Sequence, residues 1–354
     1  MAKKIFITIG VIAVVAIGVL VYLNNAGRKQ EVVRIGAILP LSGNLAQLGE
    51  SGRTGLLLAE EYINSKNNNK KIKFLFEDGK ANPTASINAA NKLITLDKID
   101  IVFSIISAVE LSIVPIQEKE HFLMFSHSSH PQLSNVNDLF FRQSQTVQQE
   151  SDFILSNIDS IATLTICYMS DDYGVAFEKE MQGKIQPNRI KSVVSFLPTE
   201  SNFATIAKKA IDAKSDKIVI CAGGKNIADF VKKLREQNYS GEIITTLAYI
   251  VSGANKNTKD VKNLSMIDFK KVTVDKEFED FIHNYKTKTG EKIGTAELMF
   301  FNSAWIVYTN SINGNMPQQI SAEIKNHTTQ NILGNIVTIT NTNDILPELE
   351  IIKQ

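Results

Sequence analysis

Cysteine is scarce in this sequence, and its scarcity excludes two classes of protein. The 354 residues include only Cys167 and Cys221, each inside an apolar run. Two thiols are too few for a disulfide framework, and these two lack the spacing of metal ligands. We therefore predict two buried thiols that pack as small apolar side chains. A bridge between them would require neighbouring strands and a demanding geometry.

An excess of charge of one sign is also absent. The 38 basic and 37 acidic residues give a net charge of +1. A nucleic-acid-binding domain needs a basic face, so we expect no nucleic-acid partner.

Sequence motifs of catalysis are missing as well. There is no GxxxxGK loop, no GxGxxG loop and no GxSxG turn. His127 and His130 flank a serine pair, but no further metal ligand stands near them, so we interpret both as loop histidines. Asp171 and Asp172 are interpreted as a strand-end turn or a helix cap. We predict that the protein is not an enzyme and needs no cofactor.

Long runs that are both uncharged and predominantly apolar are missing except at the N-terminus. After a short basic start, Ile5–Leu23 contains 19 residues without a charge. A helix of that length covers the hydrocarbon core of a bilayer. Because Asn24–Gly27 is a poor cleavage site, we interpret residues 1–30 as a membrane anchor that is retained, with a removed signal peptide as the alternative. In both cases the rest is expected at the periplasmic or extracellular face, and an anchor would hold it to the inner (cytoplasmic) membrane.

From Val32 onward, short apolar runs alternate with segments of helical period. This alternation predicts parallel β-sheets covered by helices on both faces. Because the pattern starts again after Arg142–Gln149, we predict an α/β fold of two Rossmann-like lobes with a hinged cleft between them. Lobe 1 would comprise 31–146 plus about 273–330, and lobe 2 147–272 plus about 331–354. The predicted strands are Val32–Leu39, Lys71–Asp78, Ile99–Ile106, His121–Ser126, Ile161–Met169, Lys191–Leu197, Lys217–Ala222, Glu242–Leu247 and Ile336–Thr340.

Small polar residues follow three predicted strands of the first lobe. Ligands of open parallel sheets bind beyond the carboxyl ends of the strands, and hydroxyl groups and helix N-termini suit an anionic group. The alternative is that these serines only shape turns and cap helices. The candidate residues are Ser42, Gly43 and Asn44, then Ser107 and Ala108, and finally Ser126 to His130.

The segment VVRIGAILPLSGNLAQLGESGRTGLLLAEEYIN, residues 32–64, resembles the opening of the leucine/isoleucine/valine-binding protein family, the type I periplasmic binding fold. Further segments resemble the same family in the same order, including IDIVFSIISAVELSIVPI, FLMFSHSSHPQLS and CYMSDDYGVAFEKEMQ. The likeness extends over about Val32–Tyr249. It implies two lobes that close on a small amino acid or a similar polar molecule, without catalysis.

The resemblance also implies particular ligand-binding residues. In the first lobe they are Ser107 with Ala108, and the pair Ser128 and Ser129. Leu48 stands where the family often has an aromatic lid.

In the second lobe, Tyr173 matches the Tyr–Gly of the family, and Lys225 or Asn226 replaces a tyrosine that faces the ligand. The family's acidic residue for an α-amino group should fall within 246–251, where Tyr249 is the only strong polar candidate. A buried ammonium group without a partner is costly, so a plain amino acid is not the favoured ligand, and Lys225 at the mouth would favour an anion.

We therefore predict an extracytoplasmic solute-binding protein for an ABC transporter, with permease subunits as partners. Its ligand would be amino-acid-like, an amide or a carboxylate. The alternative is a membrane-tethered ligand sensor, or a structural module, with the same fold.

Overall fold

The computed structural model describes residues 31–66, 70–224, 226–270, 275–311, 316–326, 329–330, 336–337 and 339–354. The predicted N-terminal anchor lies outside these ranges. Among the helices inside them, none combines the length and apolar character needed to cross a bilayer.

The first lobe is built on a parallel sheet of five strands in the order β2-β1-β3-β4-β5. Helices connect consecutive strands, and a π-helical turn, Lys92–Leu96, continues the second helix. The elements are β1 (Glu31–Leu39), α1 (Ala46–Ser65), β2 (Lys70–Asp78), α2 (Pro83–Asn91), β3 (Ile101–Ser104), α3 (Ser107–Glu120), β4 (Leu123–Ser126) and β5 (Phe140–Arg142).

The second lobe has a sheet of six strands in the order β13-β10-β9-β8-β6-β7. Its neighbouring strands are parallel except β13, which runs antiparallel to β10. The elements are α4 (Val147–Ser156), β6 (Leu164–Met169), α5 (Asp172–Lys184), β7 (Ile190–Phe196), α6 (Ala204–Asp212), β8 (Lys217–Cys221), α7 (Ile227–Glu236), β9 (Glu242–Thr245), α8 (Leu247–Val251), β10 (Leu264–Phe269) and β13 (Leu349–Lys353).

The inner strands of both sheets, such as β3, β4 and β6, are buried on their two faces, which explains why they are nearly continuous apolar runs. Alternate residues of a strand point to opposite faces. In the second lobe Cys167 therefore belongs to one core and Cys221 to the other. Both thiols are free and buried, so the predicted role as apolar side chains is confirmed, and their placement on opposite faces rules out a bridge.

Three later helices pack on the first lobe: α9 (Lys276–Thr289), α10 (Thr295–Asn310) and α11 (Pro317–Asn326). Helix α10 lies very close to α1, since a Cβ atom added to Gly55 would stand 2.2 Å from the carbonyl oxygen of Glu297. Two short strands, β11 (Thr329–Gln330) and β12 (Ile336–Val337), form a separate hairpin.

The chain passes between the lobes beside a buried ion pair. Arg142, at the end of β5, is wholly buried and lies 2.8 Å from Asp344. The backbone of Arg142 also bonds to Asn343 and Ile345, so residues 343–345 run alongside β5 before β13 enters the second sheet. The division of the chain at 146, 273 and 331 stays a prediction.

The two-lobed α/β architecture predicted from the alternating pattern is confirmed. The sequence prediction missed β5, β10, β11 and β13 and the helices α4, α8 and α11. It also extended one strand to Leu247, where the chain has already turned into α8.

Candidate ligand-binding cleft

A cavity of about 130 Å³ lies between the lobes, at the carboxyl ends of strands from both sheets. This is the crevice that open parallel sheets offer to ligands. Most of its wall is apolar. The apolar residues are Leu45, Leu48, Ile105, Ile106 and Met299 from the first lobe, and Met169, Leu247, Ala248 and Val251 from the second.

Two serine hydroxyl groups in this cavity have no internal partner. Ser107 is 5% exposed and Ser129 6% exposed, and within the described residues neither hydroxyl forms a hydrogen bond to another residue. Neither oxygen is among the fully enclosed polar atoms that lack a partner, so both remain open to the cavity. Their position in a ligand-sized cavity therefore makes both of them available to a ligand.

Helix α3 begins at the cavity wall through an unusual backbone turn. Ile106, directly before Ser107, has φ 87° and ψ 116°, a conformation that a β-branched residue rarely adopts. Such strain costs of order 1–3 kcal/mol and is concentrated at functional sites. Here it turns the first residues of α3, Ser107 and Ala108, toward the cavity.

A buried carboxyl group, that of Glu110, holds the loop that follows β4 and carries Ser128 and Ser129. Glu110 accepts hydrogen bonds from the backbone of His127 and the hydroxyl of Ser126. Burial raises the pKa of Glu110 to about 8, against the opposing effects of Ser126, Ser128 and the charge of Arg142. The group therefore keeps its proton at neutral pH and fixes the end of β4 against α3.

His127 is a satisfied structural side chain, as the sequence interpretation had it. Its Nδ1 lies 2.9 Å from the Ser104 carbonyl oxygen and its Nε2 2.7 Å from the Ser303 hydroxyl. The ring stacks on Phe300, with centroids 4.0 Å apart. Burial lowers its pKa to about 4, so the imidazole is neutral. Among the described residues there is no cluster of three or more His, Cys, Asp or Glu side chains that could hold a metal ion.

The second lobe supplies two acidic residues to the cavity, Asp171 and Asp172. Asp171 follows β6 and caps α5, where its Oδ1 accepts the Gly174 N–H at 2.7 Å. Burial raises the pKa of Asp171 to about 6, although the Gly174 N–H opposes this shift. Asp172 is exposed at the cavity edge.

Tyr173 lines the cavity, and Glu150 fixes its side chain through a hydrogen bond. The Tyr173 hydroxyl donates to Glu150 at 2.6 Å, and the Leu247 N–H donates to the same carboxylate at 2.7 Å. Burial raises the pKa of Glu150 to about 7, despite these hydrogen bonds. Glu150 thus joins the start of α5 to the start of α8.

The structure brings together five of the nine residues proposed from the sequence. Ser107, Ala108, Ser128, Ser129 and Tyr173 all line the cavity. Their contact with a ligand stays a prediction.

Three of the other proposed residues lie elsewhere, and Lys225 lies outside the described residues. Ser42 donates to Asp78 within a turn at 2.6 Å. Asn44 reaches across the outer edge of the cleft to the Pro198 carbonyl oxygen at 3.3 Å. Tyr249 is fully buried in the second lobe and donates to Thr258 at 2.8 Å. These positions argue against direct ligand contact by Ser42, Asn44 and Tyr249. Tyr249 was misjudged because α8 turns its side chain into the core.

Sequence reasoning missed the acidic side chains of the cavity. Asp171 and Asp172 follow the first strand of the second lobe, so the strand-end rule that selected Ser107 would have found them had it been applied to both lobes. Ser144 and Gln145, in the passage between the lobes, also line the cavity. No local signal marked them.

Two wound lobes that enclose one cavity at their facing strand ends define a ligand-binding clamp. The chain belongs to the periplasmic binding protein family, whose sequence model matches residues 32–310. This is a family of solute-binding proteins rather than enzymes, and it implies an extracytoplasmic location. No curated protein sequence matches the chain.

Solved structures support the same fold. A branched-chain amino acid transporter substrate-binding protein from Streptococcus pneumoniae, in complex with isoleucine, is similar with a TM-score of 0.81 and 16% identity, covering 92% of this chain and 96% of that one. A leucine-binding protein from Thermotoga maritima has a TM-score of 0.80 and 19% identity, covering 91% and 95%. A solute-binding protein of an ABC transporter from Rhodopseudomonas palustris, in complex with benzoate, has a TM-score of 0.76 and 14% identity, covering 90% and 92%.

Proposed function

We propose that this protein captures a small organic carboxylate with an apolar body for an ABC transporter, by closing its two lobes over the ligand. The observation that carries the proposal is the pair of unpartnered hydroxyl groups, Ser107 and Ser129, that open to a mostly apolar inter-lobe cavity. The transporter and the retention of residues 1–30 as an anchor in the inner membrane belong to the same proposal.

The start of α3 suits a carboxylate. The first N–H groups of a helix have no partner inside the helix, and the helix dipole favours a negative group there by about 0.3–2 kcal/mol. The hydroxyl groups of Ser107 and Ser129 add donors that become stronger when the acceptor is ionised. A carboxylate at this position would accept hydrogen bonds from hydroxyl groups that have no other partner among the described residues.

The cavity sets the size and polarity of the rest of the ligand. An apolar cavity of about 150 Å³ in another protein binds benzene, so a cavity of about 130 Å³ accepts a body of similar size. Isoleucine and benzoate, which relatives with this fold bind, both combine such an apolar body with one carboxylate.

Closure follows from the placement of the wall residues on both lobes. Only the closed state surrounds a ligand with both lobes, so a ligand shifts the population toward that state. A permease would distinguish the closed, ligand-bound form from the open, ligand-free form. In the alternative, a membrane-tethered sensor, the same closure would be detected by a different partner.

A ligand screen tests the proposal. The purified protein is heated with each common amino acid, with the corresponding deaminated acids, and with benzoate, isobutylamine and glucose. We expect an increase in melting temperature with at least one compound that has a carboxylate, since a ligand bound only by the folded protein stabilises it by mass action. Binding of only the amine or the sugar, or a folded protein with no shift in any sample, would contradict the proposal. The last result would favour a structural module.

A further inference from the structure

We propose that Glu150 is a positioning residue of the ligand site, which fixes the second-lobe wall of the cavity without contacting the ligand and does so more firmly in its ionised form. This inference rests on the proposed capture of a carboxylate. It adds to the determinants of affinity a residue behind the cavity wall and a dependence on pH.

One side chain holds two segments of the second-lobe wall. The Tyr173 hydroxyl, in the first turn of α5, donates to Glu150 Oε2 at 2.6 Å, and the Leu247 N–H, at the start of α8, donates to Oε1 at 2.7 Å. Tyr173 and Leu247 line the cavity, together with Ala248 and Val251 of α8. Glu150 itself is wholly buried behind this wall, so it acts on a ligand only through the residues that it holds.

The same carboxyl group is tied to the passage between the lobes. Glu150 lies in the first turn of α4, whose cap is the Thr146 hydroxyl. The side chain of Gln145, directly before this cap, interacts with Glu150 and favours its ionised form. Gln145 also accepts the Ser144 hydroxyl at 2.8 Å, and both residues line the cavity. A single buried group therefore joins the passage, α5 and α8.

The ionisable groups that face Glu150 stay uncharged at neutral pH. Burial raises the pKa of the Tyr173 hydroxyl on α5, and it also raises the pKa of the Cys221 thiol on β8. The charges of Glu150 and Asp171 raise the pKa of Cys221 further. The charge state of the region behind the wall therefore changes through Glu150.

Protonation of Glu150 weakens its hold on the wall. Burial raises the pKa of Glu150 to about 7, although Tyr173, Leu247 and Gln145 oppose the shift, so both protonation states are populated near neutral pH. A hydrogen bond to an ionised acceptor is roughly twice as strong as one to a neutral acceptor. A wall that is already fixed loses less conformational freedom when the ligand binds. Ionisation of Glu150 should therefore raise the affinity as the pH increases.

Asp171 titrates in the same range with the opposite effect. Burial raises its pKa to about 6, and it lines the cavity. Once ionised it repels a carboxylate, so its own contribution lowers the affinity as the pH increases. Because the wild type and a Glu150 variant share Asp171, the ratio of their affinities isolates the contribution of Glu150.

The experiment compares Glu150→Gln with the wild type by calorimetry at pH 6 and pH 8, using benzoate, L-isoleucine and 4-methylpentanoate. Glutamine has the size of glutamate and cannot ionise, so it represents the protonated form. The melting temperature of the ligand-free variant checks the fold. Asp152→Asn is the matched control, since Asp152 is exposed on the same helix and pairs with Lys184 at the surface.

For the probe that binds most tightly, we expect Glu150→Gln to weaken binding about four- to tenfold at pH 8 and about twofold or less at pH 6. A loss of general stability would instead weaken binding equally at both pH values. In a Tyr173→Phe background the effect of Glu150→Gln at pH 8 should be smaller, because one of the two bonds is already absent. Asp152→Asn should leave the affinity unchanged at both pH values.

The inference is overturned, and the capture of a carboxylate stands, if a probe binds but the ratio of the two affinities does not fall between pH 8 and pH 6. An equal effect of Glu150→Gln in the Tyr173→Phe and wild-type backgrounds overturns it in the same way. The inference also fails if none of the three probes binds to the folded wild-type protein. Binding of another carboxylate from the screen would in that case leave the capture proposal intact.

Discussion

The Ser107 hydroxyl has no hydrogen-bond partner among the described residues and opens to the cavity. Its loss should therefore affect ligand binding without removing an internal hydrogen bond. For Ser107→Ala we expect the ligand affinity to fall about tenfold or more, since a hydrogen bond to a charged group contributes about 1.5–3 kcal/mol. The free energy of unfolding of the ligand-free protein should stay the same or rise. Calorimetry and urea denaturation measure the two quantities.

Ser42→Ala is the matched control for this variant. The Ser42 hydroxyl also follows a strand of the first lobe, but it bonds to Asp78 outside the cavity. Its loss should leave the affinity unchanged. Equal affinity of the Ser107→Ala variant and the wild type would remove the start of α3 from the ligand site.

Buried carboxyl groups make the stability of this protein decrease with rising pH. The pKa of Glu110 is about 8 and that of Glu150 about 7, in both cases because of burial. Between about pH 4.5 and these values the native state retains protons that the unfolded chain has released, so the free energy of unfolding falls as the pH rises.

Glu110→Gln should reduce this pH dependence, because the amide cannot ionise. From pH 5 to pH 9 we expect the variant to lose less stability than the wild type, by of order 1 kcal/mol for each unit of pKa difference. Urea denaturation at the two pH values measures the effect. Glu118→Gln, exposed on the same helix, is the control. If Glu110→Gln and the wild type lose the same unfolding free energy between pH 5 and pH 9, Glu110 is not the group that retains its proton in the native state.

At this scale the sequence located part of the cavity wall. Ser107 and Ser129 could be predicted because hydroxyl side chains at strand ends face the crevice whatever the details of packing. Tyr249 could not be excluded, because one turn of helix decides whether its ring meets the cavity or the core. That rotation depends on contacts with Thr258 and other distant residues.

Two helical glycines, Gly55 in α1 of the first lobe and Gly183 in α5 of the second lobe, differ in how closely other helices approach them. A methyl group on Gly55 would collide with the backbone of Glu297, whereas one on Gly183 in α5 would meet no atom within 4 Å. We expect Gly55→Ala to destabilise the protein by about 1–3 kcal/mol because α1 must move away from α10. Gly183→Ala should stabilise it by up to about 1 kcal/mol, through helix propensity. Chemical denaturation measures both, and similar effects of the two substitutions would contradict the close contact.

The elements that could be predicted are those with strong local patterns. The alternation of apolar runs and helical segments identified most strands of both sheets to within a few residues. Strand β5 is only three residues long, and β13 is a short apolar segment next to a proline-containing loop. Strand β5 pairs with β4, and β13 pairs with β10. Pairing between segments that are separated in the sequence leaves no local signal.

Across the whole molecule, Asn44 links the two lobes at the outer edge of the cleft through Pro198. The same side-chain amide nitrogen of Asn44 also lies 3.5 Å from Asn226 Oδ1. An exposed hydrogen bond contributes about 0.5–1.5 kcal/mol, so Asn44→Ala should lower ligand affinity at least about two- to tenfold by favouring the open state. The radius of gyration of the ligand-free protein, measured by X-ray scattering, should increase. Asn202→Ala, which alters a contact inside the second lobe alone, should leave both unchanged. An affinity loss above about a hundredfold would instead make Asn44 a direct ligand contact, as the sequence suggested.

Helix α10 and strand β13 lie near the C-terminal end of the sequence, and this position affects how the protein folds during its synthesis. Helix α10 covers α1, and β13 completes the sheet begun by β6, so each lobe lacks part of its structure until much later residues have been synthesised. Contacts between such distant segments form slowly. We therefore expect each lobe to complete its folding only after α10 and β13 have been synthesised, which would keep the chain competent for passage through a secretion channel until then.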